Sequence, residues 1–233
     1  MELIFRRDAY AVRCQATVVA ADERGLVLDR TVFYPTRGGQ PGDTGTLRLG
    51  GAEIRLIDTI KGDGLDSVIH VAEAGASLPA VGSTVEVEVD WDRRFAHMRM
   101  HTCLHLLCAV VPGAVTGGQI GADRSRLDFN VPSASLDKDE LTAALNLLIE
   151  GDHPVSYRWI DDAELEANLD LVRTMSVKPP RGVGRVRLLE IEGVDLQPCG
   201  GTHVANTREI GAVKIVKIEK KSARTRRVVI EFS

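Results

Sequence analysis

The chain has 233 residues, of which 44% are hydrophobic and 27% charged, and its formal net charge is −4. This balance is typical of a globular protein with one large or two small cores, and it excludes a disordered chain. The longest apolar runs, such as 104–112, fall far short of the roughly 20 residues of a membrane span, so no membrane role is expected. Four cysteines and a start without an apolar signal segment predict free thiols and a cytoplasmic location.

The first ninety residues alternate short apolar segments with glycine, proline and aspartate, which is the pattern of an all-β unit. The segments predicted as strands are 10–20, 26–34, 46–49, 54–60, 68–71 and 84–89. Short strands joined by tight turns predict a small β-barrel domain over residues 1–89.

A glycine-rich segment, TRGGQPGDTG, covers residues 36–45. Such a segment can cradle a phosphate, but no Lys-Ser/Thr follows it, no G-x-G-x-x-G spacing is present, and its context is β-rich. The interpretation that remains from these residues is a tight turn that uses glycine at positive φ, and Gly38, Gly39 and Gln40 within it have a structural or an unassigned role.

From Asp90 onward longer segments of helical character predominate, and residues 90–233 form the second predicted domain. The predicted helices begin at Asp90 or Asp92, at Ser135 or Asp137, and at Asp161, and they end near residues 110, 149 and 173. Strands are predicted at 183–192, 212–219 and 227–232. The predicted fold class is therefore α+β: an N-terminal small β-barrel followed by an α+β domain with a largely antiparallel sheet.

The first of these helices carries three histidines at four-residue spacing, His97, His101 and His105. Residues four apart lie on one face of a helix, so two of the three imidazoles can point at a single ion. Each four-residue step drifts by about 40° around the helix, so the spacing does not distinguish the pair 97/101 from the pair 101/105.

A second ligand pair, Cys199 and His203, lies in the segment CGGTH, whose two glycines predict a turn or a helix start. Two histidines, a cysteine and a further histidine are the donors of a tetrahedral Zn²⁺ site, so zinc is the expected cofactor. The helix lacks the glutamate of a metalloprotease, and the chain lacks the His-x-Glu and Cys-x-x-Cys of a nucleobase deaminase.

Five segments together resemble a known family: FYPTRGGQPGDTG, HTCLHLL, GGQIG, SRLDF and DLQPCGGTHVANTREIG. They are similar, in order and across nearly the whole chain, to the editing domain of alanyl-tRNA synthetase and to its free-standing relatives, the AlaX proteins, most closely the medium-length type. The resemblance implies a trans-acting deacylase that hydrolyses mischarged Ser-tRNA(Ala), or Gly-tRNA(Ala). It also implies that the zinc ligands are His101, His105, Cys199 and His203, and that residues 90–233 are the editing domain.

The same resemblance implies roles for residues around the aminoacyl group. Gln119 matches a glutamine of the family's pocket strand, and Thr202 lies in the CGGTH turn, so both are candidates for holding the aminoacyl group or the attacking water. Thr36 is expected near the aminoacyl pocket, where it would meet the hydroxyl of serine. Relatives commonly have three successive glycines in this loop, and here Arg37 replaces the first. Asp128, in SRLDF, has a structural or a functional role.

The C-terminal segment 207–233 contains eight Lys or Arg against three Glu, a net charge of +5 that leaves −9 on the remainder. Such a basic end suits contact with a few phosphates. The acceptor end of tRNA(Ala) is the expected partner, and the expected contacts are Lys220, Lys221, Arg224, Arg226 and Arg227, with either Arg226 or Arg227 on the RNA. The alternatives are a non-catalytic tRNA-binding module with a structural zinc, and a hydrolase of another tRNA ester. No oligomeric state follows from the sequence.

Overall fold

The computed structural model describes residues 1–64, 66–131, 136–168 and 184–233. It divides into two compact units, Met1–Phe95 and Ala96–Ser233. Helices and mostly antiparallel strands make up the described residues, which confirms the predicted α+β class. Within these ranges no helix is both long enough and apolar enough to cross a membrane. The functional division into 1–89 and 90–233 stays a prediction.

The first unit is built around a closed six-stranded barrel, as the sequence predicts. Its strands pair in the order β2, β3, β7, β6, β5 and β8, and β8 pairs back with β2. Alternation along β8 directs Val85, Val87 and Val89 into the barrel core. The strands of this unit are β1 (Glu2–Leu3), β2 (Arg13–Asp22), β3 (Gly25–Leu28), β4 (Arg30–Thr31), β5 (Gly45–Leu49), β6 (Ala52–Lys61), β7 (Val68–Ala72) and β8 (Thr84–Val89).

The glycine-rich segment connects β4 to β5 and contains the predicted tight turn. Arg37 and Gln40 exchange two backbone hydrogen bonds of 3.0 Å, and Gly38 and Gly39 between them have φ of 59° and 84°. Two central residues at positive φ define a type I′ turn, which only glycine, asparagine and aspartate adopt readily. At Gly42 a Cβ would lie 2.1 Å from the carbonyl oxygen of Thr59, so this glycine allows a close approach between backbones.

A buried ion pair fixes the end of this loop. Asp43 and Arg94 are both fully buried, and the Nε atom of Arg94 lies 3.0 Å from each carboxylate oxygen. Arg94 also donates to the carbonyl oxygens of Ala9 and Val32, at 2.9 and 2.6 Å, while Asp43 accepts from the backbone N–H of Tyr34 at 2.5 Å. The pair therefore joins three chain segments of the first unit, and sequence patterns gave no sign of it.

His70 gives the barrel a dependence on pH. It is fully buried, its Nδ1–H donates to the Leu26 carbonyl at 3.1 Å, and its Nε2 accepts from the Thr31 hydroxyl at 2.7 Å. Burial, opposed only by the Leu26 carbonyl, lowers the pKa of His70 from 6.5 to about 4. The unfolded state then binds more protons than the folded state between these values, so stability falls as pH drops from about 6.5 to 4, by about 3 kcal/mol in all.

We expect His70→Gln to remove this contribution. The difference in unfolding free energy between the wild type and His70→Gln should shrink by about 3 kcal/mol between pH 7 and pH 4. Denaturant titrations at several pH values measure it. A difference that is constant with pH would contradict the buried neutral imidazole.

The second unit contains two antiparallel sheets, whereas the sequence predicted a single one. The four-stranded sheet has the order β14, β15, β10, β9, and the three-stranded sheet has the order β11, β12, β13. The strands are β9 (Ala114–Gln119), β10 (Arg124–Asn130), β11 (Val155–Asp161), β12 (Arg185–Ile191), β13 (Asp195–Pro198), β14 (Val213–Lys220) and β15 (Thr225–Phe232). The helices are α1 (Trp91–Val110), whose residues up to Phe95 belong to the first unit, α2 (Lys138–Glu150) and α3 (Asp162–Ala167).

The helix ends agree with the capping residues in the sequence. The carboxylate of Asp90 accepts from the N–H of Arg93 at 3.2 Å at the start of α1, and Asp137 accepts two backbone bonds at the start of α2. The alternative start of α2, at Ser135, lies outside the described residues. Asp161 caps α3, which ends at Ala167 with Asn168 as its C-cap; its predicted extension to 173 also lies outside the described residues.

Candidate metal centre

Two distant segments supply a cluster of four metal-ligating side chains. His101 and His105 lie one turn apart on α1, and Cys199 and His203 lie in the segment that follows β13. One ligand atom from each residue lies within 4.8 Å of the others. The CGGTH segment is a loop with no helix start, which corrects one of the two sequence interpretations. His97, a turn earlier on α1, is buried but is not part of this cluster.

The donor set fits a zinc ion. The Sγ atom of Cys199 lies 3.6 Å from Nε2 of His101 and 3.2 Å from Nε2 of His203. Tetrahedral zinc, with Zn–S near 2.3 Å and Zn–N near 2.05 Å, holds a sulfur and a nitrogen ligand roughly 3.6 Å apart. Three imidazoles and a thiolate at this spacing could therefore hold a metal ion of the zinc type.

Asp195 orients His105 towards the cluster. Its Oδ2 lies 3.0 Å from Nδ1 of His105, and the side-chain amide of Gln197 donates to the same oxygen at 2.7 Å. An acceptor at Nδ1 fixes the proton there and leaves Nε2 to face a metal, an arrangement that recurs in zinc sites. Burial lowers the pKa of His105, but its contacts with Asp195 and Cys199 outweigh burial and raise the pKa to about 9.

Thr102 orients His203 in the same way. The Thr102 hydroxyl donates to the carbonyl oxygen of Met98 at 2.8 Å, so it accepts from Nδ1 of His203 at 3.3 Å and from the N–H of Val204 at 3.2 Å. The proton of His203 is thereby held on Nδ1, and Nε2 is left to face Cys199. A residue of α1 that is not a ligand thus positions a ligand of the loop.

The environment of Cys199 favours the thiolate. Burial raises the pKa of the thiol, but the imidazoles of His101 and His203 outweigh burial and hold the pKa well below its usual value. The N–H of Gly201 donates to Sγ at 3.5 Å. Arg187 holds the backbone of the loop by donating to the carbonyl oxygens of Cys199 and Gly201, at 3.3 and 2.8 Å.

Sequence reasoning did not assign roles to Asp195, Gln197, Thr102 or Arg187. A signal existed for the first two, because Asp195, Gln197 and Cys199 alternate, and alternate residues of a strand share a face. Thr102 and Arg187 gave no such signal, since their contacts depend on segments brought together only by folding.

Comparison with known proteins shows the family of the chain. Residues 8–93 match the family model described as tRNA synthetases class II (A), and residues 186–229 match the one described as Threonyl and Alanyl tRNA synthetase second additional domain. The alanyl-tRNA editing protein AlaX-M of Methanosarcina acetivorans is 38% identical over 237 residues, which cover 97% of both chains. The chain belongs to the AlaX family.

Two longer relatives align with the chain over part of their own length. The alanyl-tRNA editing protein AlaX-L of Pyrococcus horikoshii is 34% identical across 100% of this chain and 58% of its own. An alanine–tRNA ligase of Metallosphaera sedula is 37% identical across 94% of this chain and 25% of its own.

The other predicted pocket residues of this AlaX chain lie in different places. Thr202 is fully buried in the loop between the two ligands Cys199 and His203. Gln119 is exposed at the end of β9, where its Oε1 accepts from Arg126 at 3.3 Å. Thr36 is exposed in the first unit, and its hydroxyl oxygen accepts from the N–H of Gly42 at 2.8 Å.

The basic residues of the AlaX chain lie on the β14–β15 hairpin. Lys220, Lys221 and Arg224 are exposed, and Arg226 donates to the backbone carbonyls of Ser222 and Thr225. Arg227 instead makes two bonds, of 2.7 and 2.8 Å, to the carboxylate of Asp128. These bonds hold the pKa of Asp128 below its usual value, and they link β10 to β15 where the two residues are paired in the sheet.

A groove of about 470 Å³ crosses the face of the four-stranded sheet beside this hairpin. It is bordered by more basic than acidic side chains, and Gln119 lies at its edge. Its charged lining residues are Arg124, Arg126, Lys217, Glu219 and Arg227.

Proposed function

We propose that this protein is a trans-acting deacylase that hydrolyses the ester of mischarged tRNA(Ala), with Ser-tRNA(Ala) as the main substrate and Gly-tRNA(Ala) as a second one. The observation that carries the proposal is the cluster of three buried histidines, His101, His105 and His203, with the partly buried Cys199, in a family whose relatives are named alanyl-tRNA editing proteins. We propose zinc as its metal, residues 90–233 as the editing domain and residues 1–89 as the barrel domain.

The reaction needs the protein mainly to position the ester and a water molecule and to stabilise the developing negative charge. Water adds to the ester carbonyl carbon, the ribose oxygen leaves with a proton, and the products are a free amino acid and uncharged tRNA. Oriented hydrogen-bond donors near the developing oxyanion lower this barrier by several kcal/mol. When bound, zinc supplies a Lewis acid that polarises an oxygen ligand. The chain's own part is to hold the aminoacyl end, and Thr202, buried between two ligands, is the candidate closest to them in sequence.

The cluster itself favours one competing function. Four protein ligands are typical of a structural zinc site, whereas catalytic sites keep a position for water or substrate. A tRNA-binding module with a structural zinc would bind tRNA(Ala) without hydrolysing the ester. If the deacylase proposal holds, one of the four ligands yields its position or a neighbouring group positions the water.

A deacylation assay with Ser-, Gly- and Ala-tRNA(Ala) tests the proposed function. We expect fast release of serine, slower release of glycine and little release of alanine, because a pocket that hydrogen-bonds serine's hydroxyl leaves its own group unpaired when alanine binds. Intact Ser-tRNA(Ala) in the presence of bound protein would support the binding module instead. Equal rates on all three would contradict selective editing.

Two residues are proposed to control substrate choice and turnover. Thr36 keeps its hydroxyl hydrogen for donation, since its oxygen accepts from Gly42. We expect Thr36→Val to lower the ratio of serine to glycine release, and Thr36→Ser, which keeps the hydroxyl, to preserve it. Gln119→Ala is expected to reduce turnover of Ser-tRNA(Ala). Unchanged selectivity in Thr36→Val, or unchanged turnover in Gln119→Ala, would remove that residue from the pocket.

We propose that exposed cations of the β14–β15 hairpin meet acceptor-stem phosphates. Arg227 is committed to Asp128, so Arg226 is the better candidate of that pair. Replacing both Lys220 and Lys221 with alanine should weaken tRNA binding. The slope of the logarithm of the binding constant against the logarithm of salt concentration should become about two units less steep, because each phosphate contact contributes about one unit. Binding titrations at several salt concentrations measure the slope. Lys138→Ala, an exposed lysine of α2, is the control, and an equal loss there would point to a diffuse charge effect.

A further inference from the structure

One face of the three-stranded sheet connects the metal centre to the surface. Paired residues of antiparallel strands point to the same face, and the register pairs Tyr157 with Leu189, Leu189 with Gln197, and Trp159 with Arg187. Tyr157 and Trp159 therefore share the face of Gln197. The side chain of Gln197 contacts His105, a member of the cluster, and Asp195, which orients His105.

Aromatic rings and arginines stack along this face. The guanidinium of Arg187 lies 3.6 Å from the ring centroid of Tyr157, and that of Arg185 lies 4.9 Å from the ring of Trp159. The row begins at the metal centre, because the ring centroids of Tyr157 and His203 are 6.3 Å apart and Arg187 holds the CGGTH loop.

The row ends at an aromatic side chain in solvent. Trp159 is 43% exposed, and Arg185 beside it is exposed as well. Among the described residues Arg185 has no carboxylate within ion-pair distance, so its charge is available to an anion there. Arg187 is paired with Trp159 on β11, and its backbone carbonyl accepts from the N–H of Cys199 on its other side. The backbones of Trp159 and Cys199 are therefore about two strand spacings, or roughly 10 Å, apart.

We propose that Trp159 and Arg185 form a stacking platform for an unpaired base near the 3′ end of the tRNA, an inference that rests on the proposed deacylase function. The ester lies on the terminal ribose, so a nucleotide just upstream of it would lie close to the metal centre. An exposed tryptophan gives such a base a flat apolar surface, and the exposed guanidinium of Arg185 beside it attracts the phosphate. These are the two elements by which proteins hold single-stranded RNA without reading its sequence.

RNA fits this surface better than a protein partner does. A protein interface is expected to surround an aromatic anchor with further apolar groups, whereas the exposed residues beside Trp159 on this face are the charged Asp161 and Arg185. Loss of one base stack weakens single-strand binding about 5- to 100-fold.

The chain offers a direct optical test, because it has two tryptophans, Trp91 and Trp159. In Trp91→Phe the stack on Phe95 is kept, and Trp159 becomes the single tryptophan emitter. This variant, with its metal bound, is titrated with two uncharged tRNA(Ala) acceptor minihelices, one with the unpaired 3′ nucleotides and one without them. We expect quenching of Trp159 emission by the first minihelix and little quenching by the second.

Affinity measurements complete the test. In the wild-type background, Trp159→Ala should weaken binding of the full minihelix about 5- to 100-fold and leave binding of the truncated one unchanged, while Trp159→Phe should keep most of the affinity. Tight binding of the full minihelix with neither quenching nor an effect of Trp159→Ala would overturn the platform and leave the deacylase proposal intact. Failure of both minihelices to bind would overturn both. Emission changes that follow protein concentration, without RNA, would assign the surface to protein contact and overturn the platform.

Discussion

Replacing Cys199 with alanine is expected to abolish tight metal binding. Cys199 is the single sulfur donor of the described cluster, and its thiolate is favoured by two neighbouring imidazoles. The variant loses one of four donors, the anionic one that a divalent ion favours, and the loop also loses the contact between Gly201 and Sγ. We expect the metal content of the purified protein to fall from about one ion per chain to near zero, and deacylation of Ser-tRNA(Ala) to fall at least about 100-fold, as for loss of a major catalytic group.

Cys14→Ala is the matched control, because Cys14 is a partly exposed thiol of the barrel outside the cluster. It should keep the metal and the activity. Cobalt substitution adds a spectroscopic readout, since the thiolate-to-cobalt band should be present in Cys14→Ala and absent from Cys199→Ala. Full metal content in Cys199→Ala would show that the cluster is not the metal site.

Replacing Arg94 with methionine is expected to destabilise the first unit by about 3–5 kcal/mol. This is the typical cost of removing one partner from a buried ion pair, since the other charge is left without compensation. Here the fully buried carboxylate of Asp43 would lose its guanidinium, and the carbonyl oxygens of Ala9 and Val32 would lose their donor. Denaturant unfolding measures the effect.

Two further variants separate charge from geometry. Arg94→Lys keeps the charge but not the planar fork that bonds Asp43 and two carbonyls, so it should restore only part of the lost stability. The double variant Arg94→Met with Asp43→Asn should be more stable than Arg94→Met alone, because no charge is then buried unpaired. A loss below about 1 kcal/mol in Arg94→Met would show that the pair contributes no more than an exposed one.

The sequence predicted those parts of the fold that have strong local signals. Helix α1 follows a capping aspartate and ends before Pro112, and the barrel strands alternate between buried and exposed residues. Strands β9, β10, β11 and β13 were not predicted from the sequence pattern, although the resemblance placed Gln119 on a strand. For β11 and β13 the missing signal has a physical reason. Strand β11 is an edge strand with few buried residues, and β13 has four residues including Pro198, too few for a periodic pattern.

The candidate site divides in the same way. The ligand pairs were predictable because spacing of four on a helix and a Cys-Gly-Gly-Thr-His turn are local patterns, and the resemblance chose between His97 and His105. The groups that orient the ligands were not predictable, since His105 and Asp195 are 90 residues apart and meet only in the folded chain. The exposure of Gln119, and the ion pair of Asp128 with Arg227, likewise depend on strand pairing.

The central claim is that the buried cluster serves selective hydrolysis of mischarged tRNA(Ala). The most direct measurement compares the rate of serine release from Ser-tRNA(Ala) with the rate of alanine release from Ala-tRNA(Ala), for the metal-loaded wild type and for Cys199→Ala. We predict that the wild type releases serine rapidly and leaves Ala-tRNA(Ala) intact, and that Cys199→Ala releases neither amino acid rapidly. Equal serine release by Cys199→Ala, with its metal lost and its fold intact, would contradict the claim.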